Sequence, residues 1–211
     1  MKQRIAMTLA LGVLAFTQSA ATAQNLLLNG SFEDPSGTVV GTPSLSVGST
    51  AIPSWTVVNQ EIAWVFNGNF GITPSEGLRS LDLAGYHDFD PFGGVTQTIS
   101  TQVNALYRLS FDLGTFAGSS IQVNAGATTA NFVHTLVGIQ EWQTFSVNFT
   151  ASSVSTAITL TGLSSVGNNY IGLDNASVIY LSGGSSAPEP GSIALFTTGG
   201  LIWIIRRCKN A

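Results

Sequence analysis

The stretch Leu106-Tyr107-Arg108-Leu109-Ser110-Phe111-Asp112-Leu113 decides how this chain folds. From Tyr107 onward every second residue is aromatic or aliphatic (Tyr107, Leu109, Phe111, Leu113), with Arg108, Ser110 and Asp112 between them. Side chains on a β-strand point alternately to opposite faces, so this period of two marks a strand with one buried face. The same alternation sets Phe145, Val147 and Phe149 against Thr144, Ser146 and Asn148, and Val95, Gln97 and Ile99 against Thr96 and Thr98. Shorter candidates are Leu26 to Leu28, Trp55 to Val58, Ile62 to Phe66, Ser80 to Leu83, Ile121 to Val123, Ile158 to Leu160 and Ser177 to Leu181. Between the chain ends no segment keeps apolar residues at helical spacing for three turns. Many short strands broken by Gly, Asn, Ser and Pro predict an all-β protein, an antiparallel β-sandwich of jelly-roll type.

Composition agrees with strands. The 211 residues include 23 Gly, 24 Ser and 22 Thr, which suit turns and polar strand faces better than helix interiors. Twelve Phe, four Trp and four Tyr supply material for a core and set the chain apart from disordered sequences. A single Cys excludes an internal disulfide framework, and a formal charge of −4 makes nucleic acid a poor partner.

The two ends read as addresses. Lys2 and Arg4 precede an apolar run from Ile5 to Phe16, and Ala21-Thr22-Ala23 has the small-x-small pattern of a signal peptidase site. Residues 1–23 are therefore expected to be a signal helix, with 24–181 as the β-sandwich domain and 182–187 as a Gly/Ser linker. The tail 188–211 opens with Pro188-Glu189-Pro190, continues as a short apolar segment at 193–205 that can cross a membrane, and closes with Arg206, Arg207 and Lys209. The basic cluster would stay cytoplasmic. This order of triplet, apolar segment and basic end resembles the PEP-CTERM sorting signal. The resemblance implies transient anchoring in the inner membrane, removal of the tail by an exosortase, and a final place outside or on the surface of a Gram-negative bacterium.

Between the ends, Arg79 and Arg108 face ten carboxylates: Glu33, Asp34, Glu61, Glu76, Asp82, Asp88, Asp90, Asp112, Glu141 and Asp174. Outside a cell, calcium is the natural partner for such an excess of oxygen ligands. The opening NLLLNGSFEDP, the central SEGLRSLDLAG, the strand pair GGVTQTISTQVNALYRLSFDL, the segment EWQTFSVNFTA and the closing YIGLDNASV occur in an order resembling the choice-of-anchor C family, which is similar to galactose-binding-like and carbohydrate-binding-module jelly rolls. In that resemblance the first strand lies beside the last. It implies a structural calcium held by Glu33 and Asp174, with backbone carbonyls near Asn29 or Ser31 completing its shell. A pair of ordinary turn hydrogen bonds is the other reading of these two acids.

No enzyme is expected. The chain has no G-x-S-x-G elbow, H-E-x-x-H, P-loop or C-x-x-C, and the D-x-D-x-x-G look of Asp88 to Gly93 lacks oxygen ligands at the later loop positions. Glu61, Glu76 and Glu141 qualify for glycoside hydrolysis by residue type alone. Carbohydrate binding asks for an aromatic plane and a few hydroxyl partners. Trp142, on the polar parity of its strand, and the loop residues Tyr86, Asp88 and Asp90 are the candidates; Trp55 and Trp64 read as core or as further exposed rings. Three functions are left in competition: a binder of extracellular polysaccharide, a matrix protein without a small ligand, and a small hydrolase.

Overall fold

The computed structural model describes residues 24–135, 139–165 and 170–183. The signal segment 1–23 and the sorting tail 188–211, with its apolar segment, lie outside the described residues. Among the described residues eleven strands form: β1 (Ser44–Leu45), β2 (Thr56–Val58), β3 (Ile62–Phe66), β4 (Arg79–Asp82), β5 (Gly94–Ser100), β6 (Ala105–Thr115), β7 (Ser119–Ala125), β8 (Thr128–His134), β9 (Glu141–Thr150), β10 (Ser155–Ser165) and β11 (Gly172–Gly183). They make two antiparallel sheets, six strands in the order β1-β3-β4-β11-β6-β9 and five in the order β2-β5-β10-β7-β8. Only β3–β4 and β7–β8 are hairpins within one sheet. Elsewhere the chain crosses between sheets at each step, which gives the expected sandwich.

The parity read from Tyr107 to Leu113 is the parity of the core. Tyr107, Leu109, Phe111 and Leu113 of β6 are buried among Ile121, Val123, Ile158 and Leu160 of the opposite sheet. On the edge strand β9, Phe145 and Val147 pack partly against the same core and Phe149 is fully buried. Trp55 and Trp64 are core residues, and their indole N–H groups donate to Asn29 O at 2.9 Å and Phe32 O at 2.6 Å.

Leu26 to Leu28 does not become a strand, although the first segment does lie beside the last. Leu26 N donates to Val178 O and Ala176 N to Gly30 O, each at 2.8 Å. This segment takes over the edge of β11 where β4, which pairs only at Gly172 and Leu173, leaves off. Its other side has no strand. There the Gln97 side chain bonds Leu28 N at 2.7 Å and Leu28 O at 2.9 Å, so a ladder cannot propagate. Strand β8 has no counterpart in the sequence reading, because exposed Val133 breaks its alternation. Strand β11 runs to Gly183, two residues into the stretch read as linker.

A cavity on the outer face of the six-stranded sheet

Residues on the other parity face away from the core. Ala63 and Val65 of β3 form a second, smaller buried cluster with Ile72 and Tyr170, against which Phe116 packs. One cross-strand row on this face runs Trp142–Gly114–Gly172–Asp82–Ala63 through β9, β6, β11, β4 and β3. The two glycines leave a trough that the Trp142 indole fills. A Cβ at Gly114 would stand 2.8 Å from its Cζ3, and one at Gly172 would stand 2.9 Å from its Cη2.

Beyond Tyr170 the face opens into a cavity of about 380 Å³. Ala63, Asp82 and Tyr170 line its sheet side; Phe70 and Ile72 come from the β3–β4 connection, Gly85, Tyr86 and Asp88 from the β4–β5 loop, and Phe116 from the β6–β7 turn. Phe70 meets Tyr86 edge-on with ring centroids 6.0 Å apart, and Phe116 tilts against Tyr170 at 5.2 Å. Tyr86 is 50% exposed yet fixed, since its N–H donates to Glu61 Oε1 at 3.0 Å and its hydroxyl to Thr42 O at 2.6 Å. What it offers a ligand is its ring. Phe70, 67% exposed, is held out by a left-handed backbone with φ 57°.

Asp82 Oδ1 accepts hydrogen bonds from Ala84 N at 3.0 Å and Ile171 N at 3.1 Å, and no donor among the described residues reaches its Oδ2. Burial pushes this carboxyl up to about 7, and the nearby Asp88 charge adds to the effect. Asp88 is exposed and left-handed, with φ 57°. Asp90 is exposed on the same loop and does not line the cavity. Across the loop, His87 and Phe89 line a second depression with Glu61, Gln60, Ser46 and Val47. There His87 Nδ1 lies 3.3 Å from Glu61 Oε1, and Phe89 stands edge-on to the imidazole at 5.0 Å.

The structure brings together Tyr86 and Asp88 of the expected ligand residues and puts Trp142 one ring behind them. Trp142 is half-buried, stands edge-on to Tyr170 at 6.4 Å, and donates its indole N–H to Thr73 O at 2.8 Å. Its parity is the outward one expected, but its partner is the protein itself. It belongs to a set of side chains that hold the segment from Thr73 to Arg79, a strap across the outer face. Gln140 bonds both Thr73 N, at 2.7 Å, and Thr73 O, at 2.9 Å. Asp174 Oδ2 accepts from Ser75 N at 2.9 Å and Glu76 N at 3.1 Å, while Ser75 Oγ also donates to Asp112 Oδ2 at 2.8 Å. Glu33 Oε1 accepts from Leu78 N at 2.8 Å and Arg79 N at 2.9 Å.

Glu33 and Asp174 thus do converge, on one strap, but as acceptors for its N–H groups. Burial pushes the Asp174 carboxyl up to about 7 in spite of these donors. The strap's donors occupy Glu33 Oε1 and Asp174 Oδ2, and no donor among the described residues reaches Glu33 Oε2. Among the described residues no three Asp, Glu, His or Cys side chains gather around a common point.

Arg79 is spent inside the protein. It is buried, bonds Val39 O at 2.6 Å and Gly41 O at 3.1 Å, and lies over the Trp64 ring at 4.7 Å. Arg108 bonds Asn148 at 3.2 Å. Asp82, Phe70, Phe116 and Tyr170 escaped the sequence reading. Asp82 looks like any polar-parity strand residue, whereas the aromatic at the centre of the turn Asn67-Gly68-Asn69-Phe70-Gly71 was a legible sign of a presented ring.

The family described as "Protein of unknown function (DUF642)" matches residues 25–170. No curated protein matches the chain. Similar solved structures include TmCBM61 in complex with β-1,4-galactotriose, at 16% identity over 75% of this chain and 100% of that one, with a TM-score of 0.45. A family 35 carbohydrate binding module from Clostridium thermocellum is 15% identical over 64% of this chain and 97% of its own, with a TM-score of 0.43. The CBM22-1–CBM22-2 tandem domain of Paenibacillus barcinonensis Xyn10C is 14% identical over 82% of this chain and 50% of its own, with a TM-score of 0.44.

Proposed function

Because the chain belongs to the DUF642 family, whose description assigns no activity, we propose its role from its own surface: an exported, non-catalytic β-sandwich that binds carbohydrate in the cavity beside Tyr86. The observation that carries this reading is the pairing of presented rings with open acceptors. Phe70 and Tyr86 expose aromatic faces that suit the C–H face of a sugar, and Asp82 Oδ2 and Asp88 stand ready to accept from its hydroxyls. The cavity volume lies at the lower end of the range for small-molecule sites, enough for one or two sugar rings. The depression at Phe89 and His87 across the loop would extend the contact along a chain.

Export follows from the two terminal signals. The mature protein would begin at Gln24, be anchored transiently in the inner membrane by its tail, and reach the exterior or surface of a Gram-negative cell when an exosortase removes the segment beginning at Pro188, Glu189 and Pro190. Extracellular polysaccharide is then the ligand within reach.

Titrating the exported protein with a panel of neutral and charged oligosaccharides tests the binding site. Tyr86→Ala should weaken binding by about 1–3 kcal/mol with the melting temperature little changed, since the ring is half exposed. Binding that survives Tyr86→Ala unchanged would place the site elsewhere.

A further inference from the structure

Resting on the reading of this cavity as a carbohydrate site, we propose that it selects a positively charged sugar, an amino sugar whose free ammonium sits against Asp82 and Asp88 while its ring lies among Phe70, Tyr86 and Phe116. Two carboxylates line the cavity, and no Lys, Arg or His is among its lining residues. Neither arginine of the exported body is available to neutralise them: Arg79 is buried on backbone carbonyls, and Arg108 is paired with Asn148. His87 turns to the other depression, where it bonds Glu61 and Pro91 O. Glu61, beneath Tyr86, adds a third negative charge nearby.

Asp82 is the residue that distinguishes a charged ligand from a neutral one. A desolvated carboxylate is costly unless a cation or several donors meet it. Its Oδ1 has two backbone donors, its Oδ2 has none from any described residue, and it faces the cavity. An ammonium would supply the missing donor and charge together, and aromatic faces around it add cation–π attraction. A uronic acid would meet repulsion from the same two carboxylates. A neutral sugar could bond them but would leave the charge uncompensated.

Three matched oligosaccharides decide the matter by calorimetry at neutral pH and moderate salt, where the Asp82 carboxyl at about 7 is free to ionise against an ammonium: a fully deacetylated chitosan pentamer, its fully N-acetylated form, and cellopentaose. The deacetylated pentamer should bind at least about tenfold tighter than the other two. Asp88→Asn, at the exposed rim, and Asp82→Asn, which retains the Oδ1 acceptor, should each remove most of that preference. Glu76→Gln, an equal charge change away from the cavity, should leave it intact. Equal affinity for the three sugars, or a preference erased as fully by Glu76→Gln, overturns the charge selection while carbohydrate binding stands. Failure of all three to bind, or binding indifferent to Tyr86→Ala, removes the carbohydrate reading of this cavity and the selection with it.

Discussion

At Gly30 the chain has room for a hydrogen and nothing larger, because a Cβ there would collide with the Ala176 carbonyl oxygen of the adjoining strand. Neither neighbour can step aside: Gly30 O accepts from Ala176 N, and β11 bulges at this point. Gly30→Ala is therefore expected to cost about 2 kcal/mol or more, read as a lower denaturant midpoint with an unchanged slope. Asp82 carries a second prediction. Its carboxyl stands at about 7 in the fold against 3.8 when exposed, so the folded chain keeps a proton that the unfolded chain releases between those values. The stability from this group is complete below about 3.8 and is lost as pH rises through about 7. Asp34 and Glu61, held low by hydrogen bonds from Ser36 and Ser44, slope the other way at acid pH, so the measurement is a difference. Between pH ~4 and ~7 the parent should lose melting temperature relative to Asp82→Asn. Parallel curves would mean that Asp82 titrates normally. Neither effect can be seen from residue type, since Gly30 is one of 23 glycines and Asp82 one of many acids on a polar strand face.

Among the elements, the alternating strands announced themselves, whereas β1, β8 and the strap did not. The periods in β5 and β9 survive because each strand buries a single face; in β6 burial alternates only up to Phe111, and beyond it Asp112, bonded by Ser75 of the strap, and Gly114, beneath Trp142, are buried on the outer face as well. Leu26 to Leu28 looks the same locally, but it meets a side chain where a strand would need a partner. The strap from Thr73 to Arg79 has no period at all, because it is held from outside by Glu33, Gln140, Trp142 and Asp174. Trp142→Phe deletes the bond to Thr73 and also the outer indole atoms that fill the trough over Gly114 and Gly172. It should cost about 1–3 kcal/mol and speed amide exchange in the strap ahead of the core strands. The strap also puts the calcium expectation to a test. With its N–H groups on both acids, excess chelator should leave the melting temperature unchanged; a chelator-sensitive transition abolished by Glu33→Ala would restore the calcium ion.

For the whole molecule, the terminal signals predict a mass. If a host with an exosortase processes the chain, the exported form begins at Gln24 and lacks the tail from 193 to 209, which intact-mass measurement reads directly; a species retaining that segment would make the tail a permanent anchor. The two-sheet sandwich, the core parity of β6 and the acidic excess of the body were all decided by the sequence alone. Each depends on local alternation or on counting, which a chain carries wherever its neighbours end up. Only the tertiary structure decided that Phe70, Tyr86, Phe116 and Tyr170 share a cavity with Asp82, and that Glu33 and Asp174 grip a strap. Those meetings depend on sheet order and register. Strand β4 sits between β3 and β11, and β6 lies on the far side of β11, so connections distant in sequence converge on one face. No period within any one strand encodes which connections will meet.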